Sequence, residues 1–220
     1  MDIRIEMLYQ TPKGTTARFH SEEMNPGKAI LIAEDLEKSG RAKQIHFLDS
    51  RDMGWTLKEL KKFIAEIETE PHNVTVYFDG GFDQDMQHSG LGCAIYYEQN
   101  GKSLRLRKNA QVEELDTNNE AEYAAFHLAL QELAYMGVHD LPVTFIGDSQ
   151  VVLHQLSGDW PCYEKELSKW IDRIETLLDE LGIDPSFQLV SRKLNKEADQ
   201  LATQALRGIA ITGTKEVNKT

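Results

Sequence analysis

Residues 74–81 read V-T-V-Y-F-D-G-G, and this stretch decides the fold. β-Branched and aromatic residues alternate through Phe78 as they do along a strand, and paired glycines then break the pattern. Asp79 stands at that break, where a strand's last side chain projects from a sheet edge into open space. A carboxylate there packs poorly and binds a cation well. Asp-Gly is also a common hairpin signal, so a simple turn competes with a ligand. The residues downstream decide between them.

Composition narrows the class. The chain has 220 residues, 40% hydrophobic and 27% charged, enough for one large or two small packed domains. No run approaches the roughly eighteen apolar residues of a membrane span, and no basic-then-apolar leader opens the chain, so neither a membrane protein nor a secreted one is expected. Cys93 and Cys162 lie far apart, outside any metal-ligand spacing. They are expected to be reduced thiols in a cytoplasmic protein. The net charge is −12, with about −2 before Pro71 and about −10 after it. Phosphate-gripping proteins are usually basic, so such acidity points either to divalent-metal carboxylates or to a solvated surface.

The part before Pro71 predicts a small α+β unit. Residues 3–9 and 15–20 alternate as two strands around the turn Thr11-Pro12-Lys13-Gly14. Asn25-Pro26 opens a helix that Gly40 stops, with Ala29, Ile30, Ala33 and Leu36 at helical spacing. A strand over 43–48 follows, and Thr56 with Glu59 caps a second helix. The pattern is β-β-α-β-α over residues 1–70, and it carries no chemistry. His20 and His46 are isolated and read as ordinary surface histidines.

After Pro71 the pattern changes. The Asp79 strand, a strand over 93–97, the Asn100-Gly101 hairpin signal and a strand near 104–108 form an antiparallel meander. A long helix over 116–137, a buried strand over 143–146, helices over 151–156 and 164–181, a strand over 187–190 and a helix over 195–206 complete a mixed α/β domain, 71–207. The stretch 208–220 reads as a polar, frayed tail.

Within this domain acids stand at junctions. Asp79 ends the first strand, Glu120 opens the long helix, Asp148 follows the fourth strand, and Asp199 opens the last helix. Elements distant in sequence can bring such side chains together at one sheet edge. A cluster of this kind repels itself unless cations fill it, and two Mg²⁺ ions roughly 4 Å apart would both neutralise it and create an in-line phosphoryl-transfer site. Each acid also has a plainer reading as a helix cap: Thr117 with Glu120 is a good capping box, and Asp148 and Asp199 suit helix starts. Their joint occurrence in this β-β-β-α-β-α order is harder to assign to capping.

D-G-G at 79–81, T-N-N-E-A-E at 117–122, G-D-S-Q at 147–150 and N-K-E-A-D-Q-L-A at 195–202 resemble the four signature blocks of type 1 ribonuclease H, in order and spacing, over residues 74–207. The resemblance implies a ribonuclease H-like mixed sheet, three antiparallel strands then parallel ones, with flanking helices. It implies an endonuclease that hydrolyses the RNA strand of RNA–DNA hybrids with two Mg²⁺ ions, Mn²⁺ substituting, to leave 5′-phosphate and 3′-hydroxyl ends. Asp79, Glu120, Asp148 and Asp199 would then be the metal ligands, with Asp79 bridging. Asn118, Asn119 and Gln150 match positions that read the RNA strand, where amides can both donate to and accept from 2′-hydroxyls.

Departures accompany the matches. The loop after Asp79 carries Asp83 and Asp85 where many relatives have small residues, and Leu156 to Glu164 lacks a basic insertion. The segment V-S-R-K-L-N has no histidine and resembles the histidine-lacking branch, with Arg192 or Lys193 available for charge neutralisation. Residues 1–70 do not resemble the hybrid-binding domain of some ribonucleases H and are expected to take a protein partner or to self-associate. The acidity and the altered loop keep a second reading open: a ribonuclease H fold that binds nucleic acid or serves as an adaptor with little catalysis.

Overall fold

The computed structural model describes residues 2–40 and 42–218, and the chain divides into two compact units, Met1–Thr69 and Glu70–Thr220. Among the described residues no helix is long and apolar enough to cross a membrane.

In the first unit, β1 (Ile3–Gln10), β2 (Thr16–His20), β3 (Ala42–Asp49) and β4 (Gly54–Trp55) form an antiparallel sheet in the order β2-β1-β3-β4, accompanied by α1 (Pro26–Ser39) and α2 (Leu57–Thr69). Local chemistry sets the helix starts. The Asn25 side chain accepts from Gly27 N at 2.8 Å, and Thr56 and Glu59 bond reciprocally as a capping box. Gly40, with φ of 67°, ends α1 in the left-handed conformation. Ile3, Ile5, Ala29, Ala33, Phe47 and Leu60 make the core. The short β4 adds a strand to the expected β-β-α-β-α order. Asp49 builds it by accepting from Arg51 N and Met53 N, which folds the chain back so that Trp55 lies opposite Phe47.

The second unit is the expected ribonuclease H-like mixed sheet with flanking helices. Its strands are β5 (His72–Asp83), β6 (His88–Gln99), β7 (Lys102–Val112), β8 (Pro142–Gly147), β9 (Asp184–Leu189) and β10 (Thr212–Glu216), in the order β10-β7-β6-β5-β8-β9. β5, β6 and β7 run antiparallel as a meander, whereas β8 and β9 are parallel to β5. The helices are α3 (Asn118–Tyr135), α4 (Gln150–Leu156), α5 (Lys165–Leu181) and α6 (Lys196–Leu206). Val74, Val76 and Phe78 share one face of β5 and meet α3, where Phe126 packs on Phe78 and Phe145 with ring centroids 5.1 and 4.5 Å apart.

Two expectations change here. Asp79 does not end its strand, because β5 continues through Gly80 and Gly81 to Asp83 in unbroken register with β6. These glycines are packing positions. A Cβ on Gly80 would collide with the Ala121 backbone of α3, one on Gly90 with Ala202 O of α6, and one on Gly92 would lie 2.6 Å from Ala198 O. The turn lies farther on, where Asp83 Oδ1 accepts from Asp85 N and Met86 N and closes the hairpin.

The stretch 208–220 is also more than a tail. β10 pairs antiparallel with β7 from Thr212↔Lys108 to Glu216↔Leu104. The buried side chain of Asn109 prepares that pairing: its Nδ2 donates to Leu201 O and Ile209 O, and its Oδ1 accepts from Ile211 N. An exposed edge strand needs no apolar alternation, so T-G-T-K-E gave no strand signal.

Close helix–sheet contact at the glycines predicts a graded cost. Gly90→Ala is expected to destabilise the protein by about 3 kcal/mol, as overpacking against backbone does, whereas Gly81→Ala, which meets only Leu206 Cδ1 at ordinary distance, costs less than about 1 kcal/mol. Urea-unfolding midpoints compare the two, and equal losses would contradict this packing.

Candidate metal centre

The sheet's pairing pattern opens the site. β5 pairs with parallel β8 only as far as Tyr77↔Ile146, but continues alongside β6 through Asp79↔Gly92 to Asp83↔His88. Beyond Tyr77, one edge of β5 therefore has no strand beside it. Asp79 lies on that edge, and Asp148 follows directly where β8 stops at Gly147.

A third carboxylate arrives from α3. Ligand oxygens of Asp79, Glu122 and Asp148 all lie within 4.8 Å of one another. Asp79 and Glu122 are 7% and 6% exposed, and Glu122 Oε2 accepts from Gly80 N at 3.2 Å. Asp199, in the first turn of α6, lines the same open cleft of about 460 Å³.

Glu120, expected as the α3 ligand, is not in this group. Its Oε2 accepts from Asp116 N at 2.9 Å and from the Thr117 hydroxyl, while Thr117 Oγ1 accepts from Glu120 N at 3.1 Å. This is the capping box. Residues two apart on an α-helix point roughly 200° from each other, so Glu120 and Glu122 cannot both face the sheet. The signal for Glu122 was present in the sequence. It stands at helical spacing with Ala125, Phe126 and Ala129, all buried, and an acid on an apolar face is more diagnostic than one at a cap.

Other expected residues divide. Asn118 lines the cleft, its Oδ1 accepting from Phe82 N at 3.3 Å. The half-buried Asn119 and the exposed Gln150, first residue of α4, lie outside the lining, as does exposed Lys193. Arg192 is in it. Its Nε and Nη2 both donate to Asp199 Oδ1, at 3.0 and 2.6 Å.

Asn195 also bonds to one of these acids. It occupies the α6 N-cap position, yet its fully buried side chain does not cap the helix. Its Nδ2 donates to Phe78 O at 2.9 Å and to Asp148 Oδ1 at 3.2 Å, joining β5 to the end of β8. Among the described residues Asn195 Oδ1, which is buried, has no partner. An Asn just before a helix looks like an ordinary cap, so nothing local in the sequence marked this role.

The electrostatics follow from burial and proximity. Burial, then the Asp148 and Asp199 charges, pushes the Asp79 carboxyl up to about 8. Burial, then Asp79 and Asp148, pushes Glu122 up to about 9, against the Gly80 N–H, which favours its ionised form. Among the described lining residues Arg192 is the one cation against four carboxylates, so the site is short of positive charge. Three close oxygen donors, two of them poorly solvated, suit a hard divalent cation, so the donor set fits Mg²⁺ or Mn²⁺.

Comparison with known proteins agrees with this architecture. Residues 77–205 match the family model for reverse transcriptase-like proteins. The chain is 42% identical over 193 residues to YpeP, an uncharacterized protein of Bacillus subtilis (strain 168), covering 88% of this chain and 85% of that one. It is 40% identical over 133 residues to ribonuclease HI of Halobacterium salinarum (strain ATCC 700922 / JCM 11081 / NRC-1), covering 60% of this chain and 64% of that protein. The crystal structure of RNase H1 from Halobacterium salinarum NRC-1 superposes with a TM-score of 0.53 at 29% identity, over 61% of this chain and 98% of that one. LC11-RNase H1 in complex with RNA/DNA hybrid gives a TM-score of 0.56 at 28% identity, over 62% of this chain and 98% of that one.

The raised carboxyls carry a pH prediction. In the metal-free folded chain Asp79 and Glu122 hold protons up to about 8 and about 9, whereas the unfolded chain releases them near the ordinary values of 3.8 and 4.5. The folded state therefore binds more protons across that window, and its stability falls as pH rises. With a chelator present, Tm is expected to drop between about pH 5 and about pH 9, and Asp79→Asn to flatten that slope.

Proposed function

Given that this chain belongs to the reverse transcriptase-like, ribonuclease H-type family, we propose that its second unit hydrolyses the RNA strand of RNA–DNA hybrids by a two-metal mechanism. The observation that carries this reading is the convergence of Asp79, Glu122 and Asp148 within 4.8 Å, with Asp199 on the same cleft. Asp79, Glu122 and Asp148 would hold one Mg²⁺ or Mn²⁺ ion, and Asp199, on the same cleft, would help to hold the other. Bound there, the ions supply an activated water and charge stabilisation for the leaving 3′-oxygen, giving 5′-phosphate and 3′-hydroxyl products.

The chain's own groups prepare this arrangement. Asn195 fixes Asp148 against the β5 backbone, and the Gly80 N–H orients Glu122. Asn118 presents its amide in the cleft, where an amide can both donate to and accept from an RNA 2′-hydroxyl. Asn119 and Gln150 follow the cleft residues Asn118 and Ser149 in the chain, and we assign them to the RNA strand as further amide contacts. That LC11-RNase H1 was solved with an RNA/DNA hybrid supports this substrate class. Free Cys93 and Cys162 suit a reducing cytoplasm.

The first unit has a core of its own, and we assign it a role outside the chemistry, as a surface for a protein partner or for self-association.

The test is cleavage of an end-labelled RNA–DNA hybrid by the full chain with Mg²⁺ or Mn²⁺. Wild type is expected to cut the RNA strand, and Asp148→Asn to lose activity by several orders of magnitude. Hybrid binding without turnover by clean wild-type protein would favour the binding-module reading instead. A paired comparison tests the choice of helix acid. Glu122→Gln is expected to abolish metal-dependent cleavage, whereas Glu120→Gln costs about 1 kcal/mol of stability as a weakened cap and leaves cleavage intact.

A further inference from the structure

We propose that Arg192 is an intramolecular counter-cation that occupies Asp199 in the metal-free protein and competes with a divalent ion for it. The inference rests on the metal-dependent reading of the cleft and adds a device that sets how readily its second ion binds.

Among the described residues lining the cleft there are four carboxylates, and Arg192 is the sole cation. Its charge reaches Asp79 and Glu122, but its hydrogen bonds are not shared among the group. Both of its bonds go to one oxygen, Asp199 Oδ1, and Asp199 alone of the four acids stays outside the set of mutually close ligand oxygens. A guanidinium that covers Oδ1 removes that oxygen as a metal ligand and sets a positive charge beside Oδ2. A divalent ion arriving at Asp199 is therefore opposed until Arg192 moves away.

The setting permits that exchange. The Arg192 side chain is 78% exposed, so releasing it returns the guanidinium to water, and the charge left on Asp199, 28% exposed, is met by the incoming ion. The backbone beneath it is held, with Leu194 N donating to Ser191 O at 2.8 Å and Asn195 N to Arg192 O at 3.2 Å. The guanidinium can swing into solvent by side-chain rotation alone, without disturbing Asn195 and its bond to Asp148. An exposed ion pair is weak enough for a divalent cation to displace, yet strong enough to lower the apparent affinity by its own equilibrium constant.

The experiment is calorimetric titration of the full chain with Mn²⁺, and with Ca²⁺ as a second probe, at fixed pH and ionic strength. Wild type is expected to bind in two classes. Asp199→Asn should remove the weaker class, and Arg192→Gln should tighten that class by about three- to tenfold while changing the tighter one less, since Arg192 bonds directly only to Asp199. Arg192→Lys, which keeps the charge but loses the paired donors, should fall between wild type and Arg192→Gln. A weaker class that is unchanged or weakened in Arg192→Gln overturns the proposal while leaving the metal-dependent reading standing. No divalent binding by wild type or by Arg192→Gln overturns that reading, and the proposal with it.

Discussion

Everything in the second unit depends on how closely two helices approach one sheet. α3 lies on one face of β5 at Gly80, and α6 lies on the other side against Gly90 and Gly92 of β6. Without a Cβ at these positions, helix backbone can touch strand backbone. That contact brings the first turns of both helices to the end of the sheet where β8 stops. Glu122 from one face and Asp199 from the other then meet the strand acids Asp79 and Asp148.

The same closeness creates the electrostatic problem from which the chemistry follows. Asp79 and Glu122 are nearly buried among other acids, and their carboxyls are pushed far above the ordinary range. The surroundings relieve this charge only in part, through the Gly80 N–H, the Asn195 amide and one guanidinium held at Asp199. Folding has built a site whose carboxylates are more stable with a cation than without one. The acidity of the chain as a whole, −12, tells little about this. Many of the remaining acids are exposed, and several are already paired with lysine, arginine or their own backbone, as Asp83 is in its turn.

Much of this was legible in the sequence, for identifiable reasons. Strand alternation, the Asn100-Gly101 turn, the caps at Asn25 and Thr56 and the order of the four motif blocks are local signals, and the elements they mark are present. The misreadings share one cause: a local rule was satisfied twice. Gly80-Gly81 after an aspartate looks like a turn and is a packing surface. Glu120 looks like a helix-start acid and is one, while the acid that reaches the sheet is two residues on. Asn195 looks like a cap, but its amide turns inward to Asp148.

The sequence by itself determined the class of fold, the places of Asp148 and Asp199 at element ends, and the family to which the chain belongs, because periodicity and short motifs are properties of neighbouring residues. Only the tertiary structure decided that Glu122 completes the carboxylate group, that Arg192 lies on Asp199, that Asn109 draws residues 212–216 into an edge strand, and that β5 runs past its aspartate. Each of those outcomes depends on which face of an element meets a partner far away in the chain. Backbone contact at three glycines sets that geometry; helical spacing shows that Glu122 lies on the apolar face of α3, but no local pattern shows what that face meets.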